Sequence, residues 1–139
     1  MGRKVAFMAN ILEKTGVVVS NRQLSDRLWV IDIKVDALGV DLMPGQFVHM
    51  LIPGMEGHIL RRPFSVFYVS EHGSVITILY QVVGFGSKHL TTVEPGTAVN
   101  LMGPIGHGWN APEGVSSALL VAGGVGAAPL FLHAQELVA

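Results

Sequence analysis

Two short stretches of this sequence pair residues that can grip a phosphate with residues that can lie beside a flat ring. The first is Arg61-Arg62-Pro63-Phe64-Ser65. A guanidinium is planar and permanently charged, so it can hold a phosphate through two parallel hydrogen bonds. Phe64 offers an aromatic face, and Ser65 offers a hydroxyl and a backbone N–H to a ring heteroatom. The competing reading is an exposed basic pair ahead of an ordinary strand. The second stretch is Gly84-Phe85-Gly86-Ser87. Glycine lets backbone come close to a ligand. If a helix starts here, its free N–H groups face an anion and Ser87 can serve as N-cap. A turn that merely needs glycine is the alternative. An arginine strand and a glycine-serine turn together suit a diphosphate better than either does alone.

Two further motifs follow. Gly123-Gly124-Val125-Gly126-Ala127-Ala128-Pro129 comes after an apolar run and could open a helix against a dinucleotide. It departs from a full G-x-G-x-x-G because Pro129 takes the last position. The acidic ribose partner expected about 20 positions on would fall beyond Ala139. Close strand–helix packing is the other reading of these glycines. Gly103-Pro104-Ile105-Gly106-His107-Gly108-Trp109 reads as a rigid loop with an aromatic tip at a cofactor cleft, or as a domain linker. Six histidines (49, 58, 72, 89, 107 and 133) show no metal-ligand spacing, and no Ser-His-Asp arrangement stands out.

The elements that must position these motifs read mostly as strands. Thr15–Ser25, Leu28–Val35, Gln46–Ile52, Phe64–Val69, Ser74–Val83 and Thr97–Met102 are β-rich and separated by Gly/Pro turns. Six such strands predict an antiparallel barrel or sandwich. Ser87–Val93 predicts a short helix stopped by Pro95-Gly96. Then the pattern changes: Ala118–Ala122 predicts a buried strand and Ala127–Val138 a helix, the opening β-α of a parallel nucleotide-binding domain. The expected division is 1–108 for the barrel and 109–139 for a linker and the start of the second domain. Without sheet partners, the segment from Ala118 to Ala139 is expected to be poorly anchored.

Composition narrows the classes. Half of the 139 residues are hydrophobic and 14% are charged, which fits a well-buried chain and not a disordered one. A net charge of −1 gives no nucleic-acid surface and no polybasic membrane patch. With no cysteine, the sequence offers no disulfide, no thiolate nucleophile and no iron–sulfur ligands of its own. That is compatible with a cytoplasmic protein. Met1–Ser20 lacks the apolar core of a signal peptide. Val115–Ala134 carries no charge, but its central glycines and proline fit a buried strand and helix better than a membrane span.

In order and spacing, Leu60-Arg61-Arg62-Pro63-Phe64-Ser65, Leu79-Tyr80-Gln81-Val82-Val83-Gly84-Phe85-Gly86-Ser87, Gly103-Pro104-Ile105-Gly106 and Ala122-Gly123-Gly124-Val125-Gly126 resemble the ferredoxin–NADP reductase superfamily. The resemblance runs from about Thr15 to the end. Within that superfamily the sequence looks most like the electron-transfer subunits of class B dihydroorotate dehydrogenases, which support pyrimidine synthesis. It implies a mainly β fold: a six-stranded antiparallel FAD-binding barrel of the ferredoxin-reductase type, then the first β-α unit of an α/β nucleotide-binding domain. It also implies an oxidoreductase subunit whose flavin exchanges a hydride with NAD(H) and passes electrons singly to a [2Fe–2S] centre. A catalytic dehydrogenase subunit would be the partner. Carried over, Arg62 holds the FAD diphosphate, Pro63 belongs to the same cofactor-binding set, Phe64 lies near the isoalloxazine, and Ser65 bonds near its N5. Leu79, Tyr80 and Gln81 line the FAD, Gly86 and Ser87 bind the diphosphate, and Gly123, Gly124 and Gly126 face NAD. The missing cysteines and the short second domain make the sequence look like an N-terminal portion. Reductase subunits of ferredoxin:NADP transhydrogenases, hydrogenases and glutamate synthase-like enzymes are alternatives, as is a non-catalytic β-barrel interaction module.

Overall fold

A computed structural model describes residues 10–70 and 72–139, so the reading of Met1–Ser20 lies partly outside the described residues. Seven strands form one antiparallel sheet: β1 (Leu12–Gln23), β2 (Leu28–Lys34), β3 (Phe47–Leu51), β4 (Arg62–Ser65), β5 (Tyr68–Val69), β6 (Val75–Gln81) and β7 (Ala98–Ile105). Their order across the sheet is β4-β3-β7-β1-β2-β6-β5. Helix α1 (Phe85–Leu90) links β6 to β7, and α2 (Ala128–Val138) follows a 3-10 turn at Gly124–Ala127.

The alternation in each strand decides what is buried. Ile31 and Ile33 of β2, Val48 and Met50 of β3, Ile76, Ile78 and Tyr80 of β6, and Val99 and Leu101 of β7 point into one core. On the opposite face Asp32 takes hydrogen bonds from its cross-strand neighbours, Ser20 Oγ and Thr77 Oγ1, at 2.6 Å each. A bulge in β1 between Val18 and Ser20 shifts the register against β2 and increases the local twist.

The chain order explains how the sheet closes. β4 and β5 are successive strands, yet they occupy opposite edges of the sheet. The single strand expected over Phe64–Val69 is therefore two strands. β4 pairs with β3, buried Val66 crosses the gap, and β5 pairs with β6. A strand cannot keep one partner where a curled sheet meets its own edge. This leaves a seam, with β4 lying beside β6 without a hydrogen-bonded ladder.

The second predicted strand is also corrected. The strand predicted over Ala118–Ala122 does not form: the segment is unpaired and open to solvent, with Leu119 87% and Val121 79% exposed. A parallel strand needs a neighbour in its sheet, and all seven described strands belong to the barrel. The helix after it does form, and it is anchored. Ala128 is buried, and Phe131 stacks on Phe67 with ring centroids 4.5 Å apart.

Candidate functional site

The two motifs read as candidates for gripping a phosphate come together at Arg62 and Gly86. Arg62 opens β4 and Gly86 lies in the first turn of α1. A Cβ placed on Gly86 would stand 3.2 Å from Arg62 Nε and 3.4 Å from Ile52 Cδ1, so a side chain here would crowd both. The neighbouring arginines divide their roles. Arg61 Nη2 pairs with Glu13 Oε1 at 2.7 Å, and Nη1 donates to the Asn100 carbonyl at 3.4 Å. Arg62 donates only to the Leu60 carbonyl, at 2.8 Å, and forms no ion pair among the described residues. Its charge is the one available to an anion.

The turn into α1 differs in detail from the sequence expectation. Gly84, not Ser87, is the N-cap, and the helix begins at Phe85. Ser87 Oγ accepts from the backbone N–H groups of Val83 and Gly84 at 3.0 and 3.1 Å, and it donates to the Gly84 carbonyl. The hydroxyl shapes the turn that exposes the first-turn amides. The far end of α1 is fixed by a residue that sequence reasoning missed. Asn21 Nδ2 donates to the carbonyls of Leu90 and Val93 at 2.8 and 3.0 Å, and Asn21 Oδ1 accepts from the Tyr80 hydroxyl at 3.0 Å. Strand β1, strand β6 and α1 are thereby tied together.

At the seam, β6 presents two different faces. Tyr80 turns inward, edge-on to Phe64 at 6.1 Å and 71°, and tilted against Trp29 at 6.5 Å. Its ring belongs to the core and does not line a cleft. Burial holds its hydroxyl above the ordinary tyrosine range, with the Asn21 bond pulling the other way. Leu79 and Gln81 lie on the outer face, half-buried. β5 covers only Ile76 and Thr77, so along Ile78–Gln81 the backbone edge facing β4 has no ladder partner among the described residues. Pro63 is exposed opposite His49, and Ser65 is half-buried opposite Phe47.

Gly123, Gly124 and Gly126 lie at the turn before α2, and that turn packs against β6. No described atom lies within 4 Å of a Cβ added to any of them, so strand–helix packing does not explain them; Gly124, at φ +55, favours glycine for its backbone. Of the fourth motif, Gly103–Ile105 end strand β7, which the sequence expectation ends at Met102, and the rest is a loop held at Trp109. The Trp109 backbone N–H donates to the Pro44 carbonyl at 2.8 Å, and the indole ring covers Gly45, whose φ of +84 and lack of a Cβ make room for it. The same ring stands edge-on to His133 of α2 at 5.8 Å. A second feature missed from sequence is a groove of about 520 Å³ on the outer face, with Phe67, Tyr68, Leu79 and Phe131 among its walls. The adjacent aromatics Phe67-Tyr68, directly after the arginine motif, were its only sequence signal.

The profile of the oxidoreductase FAD-binding domain family matches residues 15–109. The chain belongs to that family. This FAD-binding domain is 44% identical over 95 residues to the dihydroorotate dehydrogenase B (NAD(+)) electron transfer subunit of Desulforamulus reducens, covering 68% of the chain and 36% of that protein. It is 34% identical over 125 residues to the subunit of the same name from Bacillus cereus, covering 88% and 48%. The chain thus spans about half the length, or less, of these curated relatives. Among solved structures, the NADH-dependent reduced ferredoxin-NADP oxidoreductase is similar at a TM-score of 0.78 and 25% identity, over 88% of the chain and 44% of its own. A ferredoxin reductase in carbazole 1,9a-dioxygenase shares the fold at a TM-score of 0.78 and 22% identity, over 92% and 39%.

Proposed function

We propose that this FAD-binding domain holds its flavin at the β4/β6 seam and serves as the flavin-carrying part of an electron-transfer subunit for a dihydroorotate dehydrogenase. The observation that carries the reading is the contact of Arg62 with Gly86. Two motifs far apart in sequence lie side by side, so that the guanidinium of Arg62 and the first turn of α1 can face one diphosphate. Arg62 pairs with the diphosphate, Gly86 lets it reach the first-turn amides of α1, and Ser87 keeps that turn in shape. Phe64 and Leu79 flank the ring system, with Pro63 stiffening the approach. Ser65 and the open backbone edge from Leu79 through Tyr80 to Gln81 meet its polar rim. When bound, the flavin would supply the conversion between two-electron chemistry at a nicotinamide and one-electron transfer.

The whole protein's reaction extends this reading. The names of the relatives support NAD(H) as its nicotinamide nucleotide and a catalytic dehydrogenase as its partner subunit. Gly123, Gly124 and Gly126 would lie against that nucleotide, at the start of a second domain covering 109–139 after a barrel of 1–108. An iron–sulfur centre would need ligands from outside these 139 residues, which contain no cysteine. No described helix is long and apolar enough to cross a membrane, and a cytoplasmic location fits a soluble redox partner.

The test is titration of the purified chain with FAD, followed by flavin absorbance and fluorescence. Arg62→Ala should weaken binding by about 1.5–3 kcal/mol, the contribution of a hydrogen bond to a charged group, while Arg62→Lys retains part of it. Equal FAD affinity in Arg62→Ala and the parent chain would remove Arg62 from the site.

A further inference from the structure

Helix α1 carries Gly86 and Ser87, yet it is only six residues long. A helix this short does not hold itself in place. Its link to β6 is short as well. Val82 N–H donates to the Arg27 carbonyl at 2.8 Å, but Gly84 has no described atom within 4 Å of an added Cβ, so nothing there fixes the angle at which α1 leaves the strand. The bonds of Ser87 Oγ stay within that entry. Three contacts from outside hold the helix. Leu90 is fully buried in the core. His89 Nε2 donates to the Pro53 carbonyl at 3.0 Å, which ties α1 to the β3–β4 loop. Asn21 supplies the third, and of the three only it also hydrogen-bonds to β6. Its carboxamide donates to the carbonyls of Leu90 and Val93 and accepts from the Tyr80 hydroxyl. Those carbonyls close α1 and the turn after it, where a helix end is short of partners. Tyr80 lies within Ile78–Gln81, the stretch whose backbone edge faces the seam. One half-buried side chain thus joins the helix that meets Arg62 to the strand that frames the seam.

We propose that Asn21 is a positioning residue for the flavin site. The inference rests on the flavin reading above and adds a residue from outside the cradle itself. A ligand gripped at two places binds well when both are set at the right separation beforehand; otherwise ordering the protein subtracts from affinity. Asn21 sets that separation, with α1 on its Nδ2 and β6 on its Oδ1. Arg62 belongs to β4 and Ile52 follows β3, so neither travels with α1. Without Asn21 the helix turns about Gly84, Gly86 leaves its place against Arg62, and the diphosphate loses one of its two walls. The His89 bond does not replace it, because Pro53 fixes α1 against the β3–β4 loop and not against β6.

The experiment titrates the 139-residue chain and its variants with FAD well below their melting temperatures, where circular dichroism shows each to be folded. Asn21→Ala should weaken FAD by about tenfold, the size of one net hydrogen bond. Tyr80→Phe keeps the ring and both bonds from Asn21 to α1, and removes only the bond to β6. It should weaken FAD by about threefold, the low end of the same range, and it decides the matter alone should Asn21→Ala fail to fold. Amide hydrogen exchange of the flavin-free chain reads the route. In each folded variant Lys88–Leu90 should lose more protection than β2 or β7. A merely structural Asn21 would lower the melting temperature and leave the FAD affinity of the folded chain unchanged. Unchanged affinity in either folded variant would therefore overturn the positioning role and leave the flavin reading standing. So would weaker binding with the exchange of α1 unaltered, since Asn21 would then act by another route. A parent chain that binds no FAD would overturn both.

Discussion

Two apolar runs in this chain have opposite fates. Val17-Val18-Val19 lies in β1 with β2 on one side and β7 on the other. Leu119-Leu120-Val121 has no strand beside it and stays unpaired. Their compositions are similar, so β propensity does not separate them. Val18 is buried to 1%, whereas Leu119 is left 87% exposed. A strand is a property of its neighbours as much as of its residues, and the barrel supplies neighbours only to itself. The proposed flavin seam sits at a place where that supply fails, between β4 and β6. The unpaired edge there is short, rigidly framed and suited to a ligand. The unpaired run at 118–122 is of similar length but apolar and unframed by strands, and suited to a sheet.

The largest expected effect tests the self-sufficient half. Leu101 is fully buried in β7 amid the barrel core. Leu101→Ala should destabilise the chain by about 2–5 kcal/mol, through lost transfer energy plus the cavity left behind. Urea denaturation followed by tryptophan fluorescence would measure it. A loss below about 1 kcal/mol would mean that the barrel core is looser than its packing indicates.

An intermediate effect separates the core from the seam. Tyr80 turns its hydroxyl into the barrel, where burial raises its pKa. A tyrosine harder to ionise when folded leaves stability untouched below the unfolded pKa of about 10. Above it the unfolded chain loses the proton first, and stability falls by about 1.4 kcal/mol per pH unit until the folded pKa is reached. Tyr80→Phe should cost about 1 kcal/mol at neutral pH, since it strips a partner from Asn21. It should also flatten the alkaline limb. Parallel stability curves for both proteins above pH 10 would show that the ring is more open than its position implies.

The same strand shows what the sequence could and could not convey. The alternation Ile76, Ile78, Tyr80 against Thr77, Leu79, Gln81 was readable, and a period of two forbids Leu79, Tyr80 and Gln81 from sharing one face. All three line the seam only if backbone is counted. The meeting of Arg62 with Gly86 was legible from residue types, because two motifs that could each bind an anion, in one small domain, suggest a shared ligand. The division of Phe64–Val69 was not. No local signal at Val66 says that the next residues will pair across the closure of a barrel, since that depends on the curl of the whole sheet. Asn21 was equally silent. An asparagine inside a strand reads as a poor β former, and its worth lies in carbonyls some seventy residues later in the chain.

The smallest expected effect makes the opening contrast sharpest. Leu119→Ser and Val121→Ser remove apolar surface that already faces water, so each should change the unfolding free energy by less than about 0.5 kcal/mol. A residue of the same kind at Val99 or Leu101 would not tolerate that change. Amide hydrogen exchange extends the comparison along the backbone. Residues 118–122 have no ladder to open and should exchange at near-intrinsic rates, while Ala128–Val138 should be slowed by its helix and by the Phe67–Phe131 and Trp109–His133 contacts. Protection at Leu119–Val121 matching that of β1 would show that the run has found a strand partner, either in a second copy or elsewhere in the chain. The distinction between paired and unpaired runs would then describe the monomer alone.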